Sequence, residues 1–344
     1  MKPVAVVILN WNGAKLLRKY LPIVLSNTNS DLAEIVVVDN ASDDESCDVL
    51  WSEFQGVRVI RLDQNYGFAG GYNRAIKQIE NEYIVLLNSD VAPDSGWLEP
   101  LYELMQSDEK IAACAPKIMD EKRTGYFEYA GAAGGYIDFL CYPFCRGRVL
   151  NEIEKDEGQY NDTIETLWVS GAAMMVRRNL YRTMGGLDED FFAHMEEIDL
   201  CWRMVNNGYK ILACGAASVQ HYGGATLENT NPHKTYLNFR NNLTMLIKNY
   251  NSNLWAFVFV FRLILDGIAG LQFVVTGKSK FCLEIIRAHM DVWRNFKRIM
   301  NKRKVLSSSR LLKLPIVVKR YSAIWKFYVS RKRTYRELEG DLNI

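Results

Sequence analysis

Runs of apolar residues alternate along this chain with stretches in which apolar residues return every three or four positions. "VAVVIL" (4–9) has no polar interruption, the pattern of a strand buried on both faces. "NGAKLLRKYLPIVL" comes next, with Leu16, Leu17, Tyr20, Leu21 and Val24 at helical spacing. "EIVVVDN" (34–40) reads as a second buried strand. "DDESCDVLWSEF" reads as a helix with acids in its first turn, where the helix dipole favours them. "VRVIRL" (57–62) is a third strand, "GGYNRAIKQIE" a helix opened by glycines, and "YIVLLN" (83–88) a fourth strand. "SGWLEPLYELMQ" supplies the next helix, with Asp94 or Ser95 as its cap. Such alternation predicts an α/β domain built on a mostly parallel sheet.

Beyond residue 110 the pattern loosens. "GYFEYAGAAGGYIDF" predicts hairpins and loops, and the polar run 151–162 a mobile surface loop. "TLWVSGAAMMVRR" returns as a strand, "EEIDLCWRMVNNG" as a short helix with a glycine stop, and "YKILACGAASVQHYGG" as a last strand or two. From about residue 246 the chain reads as helical. Residues 249–261 carry no charge, but Arg262 and Asp266 then interrupt the apolar run, short of the unbroken span a bilayer crossing needs. "FCLEIIRAHMDVWRNFKRIM" places Phe281, Ile285, Ile286, Val292, Trp293, Phe296 and Ile299 on one stripe of an amphipathic helix whose other face is mostly Arg and Lys.

Charge sharpens this division. Residues 246–344 hold 20 Lys and Arg against 6 Asp and Glu, whereas the first 245 hold 22 against 34. The expected organisation is therefore an acidic body over 1–245 and a basic helical region over 246–344, whose helices either meet an anionic membrane surface or pack on the body. The opening "MKPVAVVILNWNG" has an apolar run too short for a signal sequence and reads as a strand. Seven cysteines, of which only Cys141 and Cys145 lie close, form neither a disulfide framework nor a zinc signature and suggest reduced thiols.

In open α/β sheets ligands bind beyond the carboxyl ends of the strands. Here three predicted strands end in polar groups: Asn10; Asp39 and Asn40; Asn88 and Asp90. Either aspartate alone reads equally well as a helix cap, but two at adjacent strand ends point to a site. Gly67, Gly70 and Gly71 in "NYGFAGGYNRA" let a backbone approach a ligand or open a helix. Neither a dinucleotide fingerprint after the first strand nor a Walker loop is present. A carboxylate beside a diphosphate makes sense with Mg²⁺ or Mn²⁺ between them.

The ordered set "VAVVILNWNG", "EIVVVDNASDD", "NYGFAGGYNRAI", "LLNSDV", "VSGAAMMVRR", "GGLDEDFFAHMEEIDLCWR" and "HYGG" resembles the family 2 inverting glycosyltransferases, most of all their rhamnosyltransferase-like branch, over roughly residues 3–245. The resemblance implies a GT-A fold (the Rossmann-like nucleotide-diphospho-sugar transferase architecture), a nucleoside diphosphate sugar donor and a divalent cation, Mn²⁺ or Mg²⁺. It implies that Asp39 holds the base, that Asn10 and Asn12 lie near the nucleoside, and that Asn65, Gly67 and Gly71 belong to the donor segment. "NSD" stands at the family's D-x-D motif, with Asn88 and Ser89 beside the donor and Asp90 as metal ligand. His221 matches a metal-binding histidine, and Arg240 in "FRNN" matches a residue suited to phosphate.

Glu196, Glu197 and Asp199 crowd three carboxylates into four residues. Crowding raises carboxyl pKa values and suits a general base, while a solvated acidic first turn explains the pattern equally well. The resemblance makes Glu197 the base, where aspartate is usual, and lets Glu196 orient acceptor or base; Asp199 with Arg203 is a structural i, i+4 pair. "SGAAM" (170–174) leaves room for a sugar. The expected enzyme moves a sugar, rhamnose first and a uridine diphosphate hexose next, onto a saccharide or lipid-linked saccharide by metal-assisted single displacement. It works in the cytoplasm, peripheral at the inner face of the membrane. The alternative is a non-catalytic sugar-nucleotide or glycan-binding protein on the same fold. A nucleic-acid binder leaves the acidic body without a role.

Overall fold

The computed structural model describes residues 2–223, 231–308 and 317–340. Its first half follows the alternation: β1 (Val4–Asn10), α1 (Ala14–Asn27), β2 (Ala33–Asp39), α2 (Ser46–Glu53), β3 (Arg58–Arg61), α3 (Gly67–Ile76) and β4 (Tyr83–Asn88). β1 lies between β2 and β4, parallel to both, and β3 extends the sheet parallel to β2. Both faces of β1 are covered. Val4, Val6 and Ile8 pack with Leu17, Leu21 and Val24 of α1, while Ala5 and Val7 join the opposite core with Tyr72 of α3.

The second half is mixed rather than mostly parallel. β5 (Val91–Pro93), α4 (Leu98–Ser107) and β6 (Ile111–Asp120) come first. β7 (Gly135–Asp138), β8 (Pro143–Cys145), β9 (Arg148–Val149) and β10 (Glu152–Ile153) form a small second sheet. β11 (Thr163–Thr166), β12 (Ala173–Arg177), α5 (Arg178–Thr183), a 3-10 turn (Glu189–Phe191), α6 (Glu196–Asn206) and β13 (Lys210–His221) complete the body. The main sheet runs β11-β13-β6-β12-β4-β1-β2-β3, with β5 also on β13. β12 lies antiparallel between β4 and β6 because the chain reaches it through the second sheet and not through a crossover helix. Of the stretch expected as one strand from Thr166, only β12 is a strand; Thr166 itself ends β11, and residues 167–172 link the two. No side chain caps α4: Asp94, one of the expected caps, accepts a bond from the Ser218 hydroxyl instead.

The helical region begins earlier than residue 246. The expected boundary falls inside α7 (Pro232–Asn249), which is followed by α8 (Trp255–Val275), α9 (Ser279–Arg294), α10 (Phe296–Ser308), β14 (Val318–Lys319), α11 (Ala323–Tyr328) and α12 (Tyr335–Glu339). The amphipathic helix expected over 281–300 is two helices, α9 and α10. Its stripe divides: Ile285, Val292 and Ile299 are buried, whereas Ile286 and Trp293 face out. By length and composition α8 would suffice to cross a bilayer, since its two charges do not break the helix.

The chain's last described segment belongs to the body. β14 pairs parallel with β7, Asp138 accepts a bond from the Ala323 amide (2.8 Å), and the Tyr335 ring stacks on Tyr136 with centroids 5.4 Å apart. The run 151–162, expected to be mobile, is held here as well. Tyr160 is buried, and Glu154 accepts from the Tyr160 hydroxyl (2.9 Å) and the Tyr335 amide (3.0 Å). Removing the Tyr335 ring leaves a cavity between the two segments. Tyr335→Ala is expected to cost about 3 kcal/mol, read as a lower midpoint in urea unfolding.

Candidate active site

Asp90 and His221 meet because β5 pairs antiparallel with the last residues of β13, Val91 opposite His221. The Tyr222 amide closes the turn by donating to the Asp90 carbonyl (3.1 Å). His221 Nε2 then lies 3.2 Å from Asp90 Oδ1 and 3.5 Å from Asn88 Nδ2, and Nδ1 lies 3.8 Å from Glu128 Oε2. Asp90, His221 and Glu128 are all buried. Burial alone would lower the histidine pKa, but the Asp90 and Glu128 carboxylates reverse this and push it up to about 10. Glu128 comes from the glycine- and aromatic-rich stretch, where no periodicity marked it. Gly224, which ends the "HYGG" motif, lies outside the described residues.

The acid helix α6 follows a loop with three non-glycine residues in the left-handed region: Phe192 (φ 64°), His194 (φ 68°) and Met195 (φ 74°). Such conformations cost on the order of 1 kcal/mol or more each and persist where surrounding contacts hold them. Arg240 and Asn241 supply those contacts. Arg240 Nη2 donates to the carbonyls of Asp190 (2.9 Å) and Phe191 (2.8 Å), and Nε donates to Asn241 Oδ1 (2.8 Å). The Asn241 amide reaches the carbonyls of Phe191, Ala193 and His194. Arg240, expected to face phosphate, here clamps this loop.

On α6, Glu196 is buried and Glu197 half-buried, and Oε2 of each has no hydrogen-bond partner among the described residues. Burial, then the Glu197 charge, holds the Glu196 carboxyl well above the usual carboxylate range; burial pushes Glu197 up to about 7. Glu197 borders a gap left by Gly171. A Cβ there would lie 3.5 Å from the Glu197 Cβ and 3.6 Å from the Phe68 ring. Asp199 is structural, as its spacing suggested. It accepts from Arg203 (2.9 Å), Lys248 (2.8 Å) and Asn249 (2.7 Å), which fixes α6 to α7.

At the tips of β1 and β2, Asn10 stands opposite Asp39. Asp39 is fully buried and accepts from the Ser42 amide and the Cys47 thiol (3.3 Å each), with Arg61 Nε at 3.8 Å. Asn10 Nδ2 and the Asn12 amide both donate to the Ser42 hydroxyl, while Asn10 Oδ1 is buried without a partner among the described residues. Asn65 Oδ1 accepts from the Gly67 amide (2.8 Å) and from Asn40 (2.9 Å), which ties the donor-segment glycines to the end of β2. Gly67 has φ 68°, and the Phe192 ring would lie 3.1 Å from a Cβ there. Gly71 serves packing: a Cβ would come within 2.7 Å of Leu9. Ser89 is half-buried in the turn before Asp90.

These groups form one continuous edge. Asp39 and Asn10 are neighbours, Leu9 pairs with Asn88, and the Asn88 amide donates to the Ala172 carbonyl beside Gly171 and Glu197. Asp90 and His221 offer one carboxylate and one imidazole. Among the described residues no group of three or more His, Cys, Asp and Glu side chains surrounds a metal position. A cation held here would complete its shell with substrate oxygens and water, as Mn²⁺ and Mg²⁺ at diphosphates do, and would have to displace the His221 proton.

The profile of the family described as "Glycosyl transferase family 2" matches residues 5–185, just over half of the chain. Among curated relatives, the low-salt glycan biosynthesis hexosyltransferase Agl10 of Haloferax volcanii is 26% identical over 220 residues, 62% of this chain and 66% of that one. The N-acetylglucosaminyl-diphospho-decaprenol L-rhamnosyltransferase of Mycobacterium tuberculosis is 23% identical over 202 residues, 55% and 66% of the two chains. The matches thus span just under two thirds of these relatives. Among solved structures, GalNAc-T7 with UDP, GalNAc and Mn²⁺ superposes with a TM-score of 0.59 at 14% identity, covering 87% of this chain and 58% of that one. The mannosyltransferase PcManGT of Pyrobaculum calidifontis, in complex with GDP-Man and Mn²⁺, gives 0.53 at 14% identity, covering 89% and 85%. At such identities the likeness establishes the GT-A fold alone.

Because the folded state holds a proton on Glu196 that the unfolded chain releases above pH ~4.3, stability falls as pH rises past that value. Glu196→Gln removes this dependence. Its melting temperature is expected to exceed that of the wild type by a few degrees at pH 8, with the gap closing as the pH falls to about 4.

Proposed function

The chain belongs to glycosyl transferase family 2, and from that premise we propose that it transfers a sugar from a nucleoside diphosphate donor to a hydroxyl of a saccharide or lipid-linked saccharide. One observation carries the reading. Glu197, a carboxyl with a pKa near 7 and an oxygen unpartnered among the described residues, has its Cβ and Cγ beside Gly171. The neighbouring Ala172 carbonyl accepts from the backbone amide of Asn88, whose side-chain amide lies 3.5 Å from His221 of the buried Asp90–His221 pair.

Asp39, Asn10 and Asn12 hold the nucleoside end of the donor at the tips of β1 and β2, and Asn65, Gly67, Asn88 and Ser89 line the diphosphate. Asp90 and His221 would hold a divalent cation, Mn²⁺ or Mg²⁺. Bound there, it would offset the charge that grows on the departing diphosphate. Glu197 takes the proton of the acceptor hydroxyl. The oxygen attacks the anomeric carbon as the bond to diphosphate breaks, so one displacement inverts that carbon and needs no covalent enzyme intermediate. Glu196, protonated and buried behind Glu197, keeps a second negative charge from the base. Arg240 acts through the 190–195 loop that sets the start of α6.

Rhamnose carried on deoxythymidine diphosphate is the first donor to test, supported by the named activity of the mycobacterial relative; uridine diphosphate hexoses come second. A lipid-linked acceptor places the enzyme at the cytoplasmic face of an anionic membrane, reached through its C-terminal helices.

The test is nucleoside diphosphate release across a donor panel with Mn²⁺ or Mg²⁺. Because Glu197 must be ionised to accept the proton, kcat/KM is expected to climb as pH rises through about 7. Glu197→Gln should lower the rate by about 10²-fold or more and abolish that limb. Asp90→Ala should remove the response to added Mn²⁺, measured as the metal dependence of release. Tight donor binding with no turnover in the wild type would favour a sugar-nucleotide-binding protein instead.

A further inference from the structure

The two charges that interrupt the apolar run of α8 both face the body. Arg262 Nη1 donates to the Leu140 carbonyl (2.8 Å) and to Asn242 Oδ1 (2.6 Å), and its guanidinium lies 3.6 Å from the centre of the Tyr142 ring. Asp266 sits 3.5 Å from Arg262 Nη2 and 3.3 Å from His289 Nε2 of α9. Both charges are almost wholly buried. What α8 turns outward is uncharged along its whole length. Phe257, Val260, Ile264, Ile268, Leu271 and Val275 are 56–79% exposed. α9 continues the surface with Leu283, Ile286, Met290 and Trp293, also exposed. The exposed charges of these two helices and their connecting turn are all basic: Lys278, Lys280, Arg287, which also pairs with Glu284 at 2.6 Å, and Arg294. The acids of α9, Glu284 and Asp291, are half-buried.

We propose that α8 lies flat within the headgroup and upper acyl layer of an anionic bilayer, its outward face among the chains and the four basic residues on the headgroups. This rests on the membrane clause of the proposed function and deepens it by naming the inserting element and its mode. Two facts favour this occupant. An uncharged stripe along a 21-residue helix, about 30 Å long, is a large apolar surface to leave in water. Its flanking charges have the sign that complements anionic lipid. A flat pose also keeps the Arg262–Asp266–His289 contacts. Crossing the bilayer would pull α8 off α7 and α9 and place both charges in hydrocarbon without their bonds to Leu140, Asn242 and His289.

Flotation with phosphatidylcholine vesicles, with and without phosphatidylglycerol, tests this on the full chain. The wild type is expected to float with the anionic vesicles and to be released by salt. Phe257→Glu combined with Ile264→Glu should weaken binding about tenfold or more while leaving donor turnover in solution unchanged. Depth is read from nitroxides at Val260→Cys and Val274→Cys, in a chain whose half-buried Cys47 and Cys282 are serine. Equal depths are expected. A difference near ~21 Å, the length of 14 helical residues, would show a spanning helix and overturn the flat pose. Flotation untouched by the double substitution would overturn α8 as the inserting element and leave the membrane clause standing. No flotation of the wild type would overturn both, as would a dimer that the double substitution dissociates and that never floats; turnover in solution judges sugar transfer separately.

Discussion

The site depends on a short antiparallel contact, three residues of β5 against the last three of β13. β4 and β13 are far apart in the order of the main sheet, with β12 and β6 between them. Without β5 the end of β4 and the end of β13 would not meet. With it, the turn at Asp90 is pinned through the Tyr222 amide, and a carboxylate and an imidazole more than 130 residues apart in sequence share one buried point. The pair is stable together in a way neither is alone. An isolated charge at that depth would be neutralised, whereas Asp90 and Glu128 keep His221 charged when no cation competes for it.

A second set of buried charges places the acid helix. Lys248 of α7 reaches Asp188 and Asp199, and Lys302 of α10 bonds Asp188 and Asp190 at 2.6 Å each. Together with Arg240 and Asn241, these cations hold both ends of the left-handed loop that delivers Glu196 and Glu197. The division of labour along α6 follows from position. Asp199 is ringed by donors and ionised, below the usual carboxylate range despite burial. Glu196 and Glu197 lack such donors and are pushed the other way. One turn of helix thus carries a structural anion and a carboxyl poised near neutrality, the proposed base. α7 and α10 belong to the proposed catalytic architecture, because removing them would strip the counter-charges from this loop.

Much of this was legible in the chain. The apolar runs that end in Asn10, Asp39 and Asn88 are period-free and flanked by turn residues, so strand identity and the polar edge followed directly. Asp199 and Arg203 followed from helical spacing. Other features were not local. β12 enters antiparallel because of the route the chain takes through the second sheet, and no pattern within "AAMMVRR" states its neighbours. Glu128 lies among glycines and aromatics, and its role comes from contact with His221. Arg240 was assigned through its match in "FRNN", and the sequence did not show that its guanidinium bonds the Asp190 and Phe191 carbonyls. The run 151–162 looked mobile because it is polar, yet Tyr160 and Glu154 anchor it to a segment nearly 180 residues later.

Helix α8 shows why a count of charges along a sequence misleads about a surface. Read linearly, Arg262 and Asp266 make the segment less apolar. In three dimensions they do the reverse, since both are consumed by contacts with the body and the face left outside carries none. In the proposed pose the same two residues tie the helix to the body and leave its other face free to lie in a bilayer. The basic excess of the tail behaves similarly. Lys248 and Lys302 are spent inward on the acid loop, so only part of that charge remains for a surface, and the part that remains on α9 and the turn before it borders the uncharged stripe. The helices that hold the proposed base in place, α7 and α10, pack with those that would meet lipid, α8 and α9, so a lipid-bound acceptor would be presented to a site ordered by helices packed on the lipid-binding element.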